Sequence, residues 1–252
     1  MAWWLMGKRV AMFAEGTWAE YVAVDATRCF SLNSTTSWEN AAGAVANPVT
    51  VMIMLDIAKE EKFVVATAGS SSLTQQFVRA AKSKGINTIA VVRKDDQIES
   101  SQKNGAFAIL NSETEDFAEK LAALCKEHKV KLAFDSVAGE TGSTVLSSLV
   151  SGGEMHVYGF LSGKPLTVTG GDLIFKQKEV KGLYLGQIFK HTSVLKLYRM
   201  KNELVSLLET DLRTTVQATF PMDQVVDALM AYTGNLSGGK VQLIIGDAEN
   251  PK

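Results

Sequence analysis

The chain has 252 residues, is 46% hydrophobic and 21% charged, and carries a formal net charge of −1 at pH 7. That length holds one large or two small domains with a sizeable core, and the composition is that of an ordinary soluble globular chain. The charge balance argues against nucleic acid as a partner. Cys29 and Cys125, the two cysteines, stand in no metal or redox spacing and read as reduced packing residues, with no metal site expected.

The uncharged runs 40–55 and 63–78 are broken by Pro48 and by Gly69 with its serines. Both fall short of the roughly 18 apolar residues of a membrane span. The start, Met1-Ala-Trp-Trp-Leu-Met-Gly-Lys-Arg9, puts charge after the apolar residues, the reverse of a secretory signal, and is not rich in arginine and serine like a mitochondrial presequence. An intracellular compartment, cytoplasm or mitochondrial matrix, is expected.

In chain order, residues 9–32 are strand-rich. From about 50 to 185 strands and helices alternate. Phe63–Thr67 reads as a buried strand, Ala68–Ser72 as a small-residue turn, and Leu73, Phe77, Ala80 and Ala81 as the buried face of a helix. Thr88–Val92 is the next strand, ending on Arg93-Lys94. A short helix over 95–105 and a strand at 108–110 follow. Ser112 and Glu115 have capping-box spacing for a helix that buries Phe117, Leu121 and Leu124. Leu132–Asp135, Glu154–Tyr158 and Val180–Leu185 are strands, with helices ending at Gly152-Gly153 and spanning 190–209. Beyond 213, strands at 214–219 and 240–245 flank a helix at 222–232. The alternation predicts an α/β fold with a Rossmann-like, doubly wound parallel sheet. The two termini are expected to meet in a smaller β-rich domain whose core or exposed surface takes Trp3, Trp4, Trp18 and Trp38.

The candidate site lies in the first βαβ unit. Backbone amides of Ser70, Ser71, Ser72 and Leu73, at a helix N-terminus, can hold pyrophosphate oxygens, and the serine hydroxyls can donate to phosphate. A polar surface turn is the alternative. Arg93 and Lys94 fall roughly twenty residues on, where NAD-binding units place an acid; two cations there suit a 2′-phosphate and favour NADPH. They could instead be a solvated pair beside Asp95 and Asp96. Ser136, Val137 and Ala138 end the fourth strand, either as small residues leaving room for the cofactor or as an ordinary strand end. No general acid or base stands out. His128 and His191 sit in charged helical contexts expected to be exposed, and His156 reads as a packed strand residue. Nucleophile-elbow, P-loop and Tyr-x-x-x-Lys patterns are absent from the sequence.

Six segments in order carry a resemblance: Gly7-Lys-Arg-Val10, Gly16-Thr-Trp-Ala-Glu-Tyr-Val22, Asn47-Pro-Val-Thr50, Phe134-Asp135 with Gly139-Glu140-Thr141, Tyr158-Gly-Phe-Leu-Ser-Gly163 and Gly238-Gly-Lys-Val241. With them the chain resembles the medium-chain dehydrogenase/reductase superfamily, in its zinc-independent quinone oxidoreductase and enoyl reductase branch. The resemblance implies a Rossmann domain over 48–212 and a partial GroES-like catalytic domain from 1–47 and 213–252. It implies hydride transfer from NADPH to a small-molecule quinone or α,β-unsaturated carbonyl. Tyr158, Gly159, Phe160 and Leu161 would then meet the nicotinamide carboxamide, and Asn47 and Thr50 would lie beside nicotinamide and substrate, although Asn47 also reads as a turn residue before Pro48. A homodimer would form through the 180–185 edge strand.

Two departures stand out. Family chains begin upstream of Met1, so a fragment, a truncated form or a naturally shortened relative is expected. The family's Gly-Gly-Val-Gly turn is here Ser71-Ser-Leu-Thr74, and a β-branched Thr74 is expected to push the helix out or reshape the phosphate site. The alternative reading is a non-catalytic relative, a nucleotide-binding or structural subunit of a larger assembly.

Overall fold

The structure, a computed structural model, describes residues 3–191, 193–235, 238–247 and 250–251. The chain divides into two compact units, Met1–Met52 with Val194–Lys252, and Ile53–Ser193.

The first unit opens with β1 (Val10–Met12) paired antiparallel to β2 (Cys29–Ser31). The next elements are α1 (Trp38–Ala42) and α2 (Ala46–Ile57), whose residues from Ile53 onward belong to the second unit. Ser37 caps α1 by accepting from the Asn40 N–H. Asn47 and Pro48 lie in the first turn of α2, so Asn47 is a helical residue; proline fits there because the first helical N–H groups have no intrahelical acceptor.

The second unit contains β3 (Phe63–Ala66), α3 (Ser72–Ser83), β4 (Asn87–Val92), α4 (Ile98–Lys103), β5 (Ala108–Asn111), α5 (Phe117–Glu127), β6 (Leu132–Asp135), α6 (Gly139–Ser148), β7 (Glu154–Val157), α7 (Gly170–Ile174), β8 (Glu179–Gly182) and α8 (Leu185–His191). Its six strands form one parallel sheet in the order β5-β4-β3-β6-β7-β8. This is the Rossmann-like, doubly wound order, with the direction of winding reversing between β3 and β6. Strand side chains alternate between faces. Val65, Ile89, Val91, Ala133 and Met155 pack with Phe117 and Leu121 of α5 and Val145 and Leu146 of α6. Phe134 points the other way and meets Phe77 of α3 edge-on at 5.2 Å. Cover on both faces explains why these strands are apolar at consecutive positions.

The helix after β5 starts at Phe117 rather than on the Ser112/Glu115 capping box. Asn111 takes the intervening residues into a turn, its Oδ1 accepting from the Glu113 N–H at 2.9 Å and its carbonyl from the Thr114 hydroxyl at 3.0 Å. The strand read as 180–185 ends at Gly182, because the Tyr184 carbonyl already accepts from the Gln187 and Ile188 amides and starts α8. His128 is not an exposed helical residue: its ring stacks on Phe63 at 4.2 Å and meets Phe107 at 5.2 Å. The side chain of His191 lies outside the described residues. His156 is buried and faces the Glu154 carboxylate. Burial lowers its pKa below the usual histidine value, with Glu154 opposing. Burial likewise pushes the Cys125 thiol up to about 12, which keeps it protonated and inert.

The first unit resumes with α9 (Val194–Leu207), β9 (Val216–Pro221), α10 (Val225–Gly234), β10 (Lys240–Ile244), β11 (Gly246–Asp247) and β12 (Asn250–Pro251). The single helix expected over 190–209 is therefore two. β9 and β10 pair in parallel, and β11 with β12 antiparallel. Side chains stitch the two ends of the chain together: the Ser37 amide and hydroxyl donate to Glu209 at 2.7 and 3.0 Å, and the Thr214 amide donates to Asn40 Oδ1 at 2.6 Å. The four tryptophans are exposed or half-exposed rather than core. Trp38 takes the Arg9 guanidinium over its ring at 3.9 Å.

Candidate functional site

The carboxyl ends of β3 and β6, where the sheet reverses its winding, are the place a doubly wound sheet offers to a ligand. Here they are bound together by one side chain from each strand end. Asp135, fully buried, accepts from the Thr67 hydroxyl at 2.7 Å, the Val137 amide at 3.0 Å and the Ala138 amide at 2.9 Å. Thr67 Oγ1 in turn accepts from the Ser136 amide at 2.9 Å. The turn after β6 is thus held by a carboxylate, and Ala138 is forced to φ 59°, ψ −152°, a conformation otherwise nearly confined to glycine.

The turn after β3 is built differently. The Gly69 amide donates to the Val91 carbonyl at 2.8 Å, fixing the turn against β4. A Cβ on Gly69 would stand 3.0 Å from Val92 and 3.1 Å from Ala90 and Ser101, so a larger residue would fit only if these neighbours gave way. Ser71 caps α3: its amide donates to the Ala68 carbonyl at 2.8 Å, and its Oγ accepts from the Thr74 amide at 3.2 Å. Both Ser71 donors therefore point into the protein, because its hydroxyl hydrogen goes to Thr74 Oγ1 at 3.1 Å. The amides of Ser72 and Leu73 have no hydrogen-bond partner among the described residues, and both residues are partly exposed. They are donors left over at the positive end of a twelve-residue helix.

Thr74 does not sit as an intruder in this turn. It is fully buried, and its hydroxyl donates to the Thr67 carbonyl at 3.0 Å. The hydroxyl of a side chain expected to crowd a glycine position instead ties α3 to the end of β3. The Tyr158 oxygen lies 3.3 Å from Thr74 Oγ1. Burial raises the Tyr158 pKa above the ordinary tyrosine value, so the phenol stays protonated.

Arg93 and Lys94 leave β4 directly after Val92, with both side chains exposed and no hydrogen bond or ion pair to either among the described residues. Their amides donate to Gln97 Oε1 at 3.0 and 3.3 Å, which shapes the bend. The loop after β7 is laced to the turn after β6: the Tyr158 amide donates to Asp135 O at 2.8 Å, Leu161 to Ser136 O and Ser162 to Val137 O, both at 3.0 Å. A Cβ on Gly159 would lie 2.7 Å from the Ser136 carbonyl, so only glycine lets these loops touch. Val137 is thereby set beside Tyr158–Leu161, with Phe160 and Leu161 exposed.

The structure thus gathers Ser70–Leu73, Val137 and Tyr158–Leu161 at one edge of the second unit's sheet, with Arg93 and Lys94 at the end of the neighbouring strand. Asn47 and Thr50 lie elsewhere in the chain order, on α2, where the Thr50 hydroxyl donates to the Ala46 carbonyl at 2.8 Å. Sequence reasoning missed Thr67 and Asp135. The signal was a polar residue at the end of each of two otherwise apolar strands. Among the described residues no group of three or more His, Cys, Asp or Glu could hold a metal ion. Nor is any described helix long and apolar enough to cross a membrane.

Fold and turn together define a dinucleotide-binding type of α/β protein. The chain belongs to the zinc-binding dehydrogenase family, which matches residues 74–200, half of the chain, and so to the oxidoreductases of the medium-chain dehydrogenase/reductase superfamily, in the quinone oxidoreductase and enoyl reductase-like branch. It is 26% identical to a mitochondrial enoyl-[acyl-carrier-protein] reductase of Yarrowia lipolytica, over 96% of this chain and 67% of the relative. It is 28% identical to an NADPH quinone oxidoreductase of Kluyveromyces marxianus, over 79% of this chain and 58% of the relative. The crystal structure of a proposed NADPH:quinone reductase from Mesorhizobium loti superimposes with a TM-score of 0.87 at 28% identity, covering 96% of this chain and 71% of that one. The chain spans about half to two thirds of the length of the curated relatives it matches. Despite the family's description, the described residues offer no cluster of ligands that fits a zinc ion.

Proposed function

We propose that this chain binds NADPH at the turn after β3 and serves a zinc-independent reductase acting on a quinone or an α,β-unsaturated carbonyl. The observation that carries the reading is the pair of unclaimed amides, Ser72 and Leu73, at the positive end of α3 on the winding switch of the sheet. They fit a pyrophosphate, with the Ser72 hydroxyl as a further donor. Arg93 and Lys94, exposed and without a side-chain hydrogen bond or ion pair among the described residues, fit a ribose 2′-phosphate. Tyr158–Leu161, beside Val137, offer backbone groups to a nicotinamide carboxamide. When bound, the nicotinamide supplies the hydride, and the protein supplies position and electrostatics. Roles for Asn47 and Thr50 next to the reacting carbon rest on the family resemblance alone. The same holds for a homodimer through β8, a strand with one paired neighbour in the sheet, and for a cytoplasmic or mitochondrial-matrix location.

The test is a titration of the purified chain with NADPH and with NADH. The Arg93→Ala, Lys94→Ala double variant should lose about 100-fold in NADPH affinity, as two charge-assisted contacts of about 1.5 kcal/mol each would give. Its NADH affinity should be unchanged. Equal NADPH binding by variant and wild type removes the phosphate assignment. Turnover with a simple quinone then separates reductase from binding subunit.

A further inference from the structure

The hydroxyl contact between Thr74 and Tyr158 joins residues 84 apart in sequence and lies directly under the turn just described. Its polarity follows from counting hydrogens. Thr74 has one hydroxyl hydrogen, and it goes to the Thr67 carbonyl at 3.0 Å. The Thr74 oxygen is therefore an acceptor toward its other neighbours, the Ser71 hydroxyl at 3.1 Å and the Tyr158 phenol at 3.3 Å. Ser71 is the cap of α3, and its oxygen also holds the Thr74 amide. One threonine oxygen thus gathers the helix cap and the end of β7, while the same hydroxyl reaches the end of β3.

The consequence is geometric. Ser72 and Leu73 can present their amides to an anion only while Ser71 and Thr74, on either side of them, hold the first turn of α3 in place. The Tyr158 backbone is anchored independently, its amide donating to Asp135 O at 2.8 Å. The phenol is therefore a strut from a fixed strand end to the first turn of α3. It stands where the family's turn would have glycine packing and this chain has threonine.

We infer that Tyr158 is a positioning residue for the dinucleotide pyrophosphate, acting through Thr74 to hold the Ser72 and Leu73 amides in their donating arrangement. The inference rests on the NADPH reading above. It assigns Tyr158 a side-chain task distinct from the backbone contact expected of it.

The experiment compares wild type with Tyr158→Phe, Thr74→Val and their combination in the full chain. Three quantities are read: NADPH affinity, affinity for adenosine 2′-phosphate, and the melting temperature without ligand. Adenosine 2′-phosphate reaches the Arg93–Lys94 site but carries no pyrophosphate. Tyr158→Phe should weaken NADPH about tenfold, the scale of one hydrogen bond, and leave adenosine 2′-phosphate unchanged. Combined with Thr74→Val it should add nothing to the loss caused by Thr74→Val alone, because the two groups act as one unit. Thr74→Ser, which keeps the hydroxyl, should bind NADPH like wild type.

Wild-type NADPH affinity in Tyr158→Phe overturns the inference while leaving the cofactor reading intact. A parallel loss of both ligands together with a lower melting temperature also overturns it, since that is a purely structural role. A folded wild-type chain that binds no NADPH overturns the cofactor reading, and the inference with it.

Discussion

The turns after β3 and β6 face the same edge of the same sheet, and each leads into a helix of ten residues or more. Each contains an alanine in a positive-φ conformation, Ala68 at 50° and Ala138 at 59°. Yet the two turns are closed by different chemistry. Just before α6 the amides of Val137 and Ala138 are taken by the Asp135 carboxylate, which closes the turn. At α3 the cap is a neutral serine turned inward, and two amides have no partner among the described residues. Acidic side chains, Asp135 and Glu140, therefore stand at the start of α6 and none in the first turn of α3, so a ligand's negative charge meets like charge at the first and not at the second.

The largest effect expected from breaking this contrast comes from Asp135→Ala. It strands the Thr67 hydroxyl and two amides inside the protein and should cost roughly 4 kcal/mol of stability in urea unfolding. A much smaller loss would mean that water replaces the carboxylate in the turn after β6.

Next in size is Ala138→Gly. Releasing the strained φ should outweigh the added chain entropy and stabilise the protein by about 1 kcal/mol, with NADPH affinity unchanged. The same unfolding experiment reads it, and a destabilised variant would show that Ala138 is not strained.

The smallest effect is a pH dependence away from the turns. The folded-state pKa of His156 lies below the ordinary value of 6.5, because burial disfavours the cation more than Glu154 favours it. The unfolded chain therefore takes up the proton first. Stability from this group is complete above the ordinary value and is lost as pH falls through the folded value. His156→Gln should flatten the fall in melting temperature between pH 7 and pH 5 (about two units around the free-histidine value). An unchanged slope would assign the fall to other groups.

The sheet was legible because its buried strands are short apolar runs: Phe63–Ala66, Asn87–Val92 and Leu132–Asp135 stand where the pattern puts them. The turn after β3 was legible as small residues between a strand and a helical repeat. Its hydrogen-bond accounting was not. Nothing in the letters says that Ser71 spends its hydroxyl on Thr74, or that Tyr158 reaches back 84 residues to the same atom. Thr74 reads as a defect when matched against a glycine motif, and only side-chain geometry turns it into a link between helix and strand. Ala68 and Ala138 are invisible for a related reason, since alanine carries no signal for positive φ. Asn47-Pro48 reads as a turn because proline there is compatible with a turn or a first helical turn alike.

The central claim is that an anion is held by the free amides of α3, and one substitution isolates it. Ser72 is the first residue of the helix, and Ser71 before it has φ −69° and ψ 148°, a conformation a following proline accepts. Ser72→Pro should therefore keep the fold and its unfolding midpoint while deleting one unclaimed amide and one hydroxyl. A fluorescence titration with NADPH should show binding by the wild type and an affinity about tenfold weaker in the variant. Equal affinity in a variant of unchanged stability would contradict the account, and the phosphate would have to be held elsewhere.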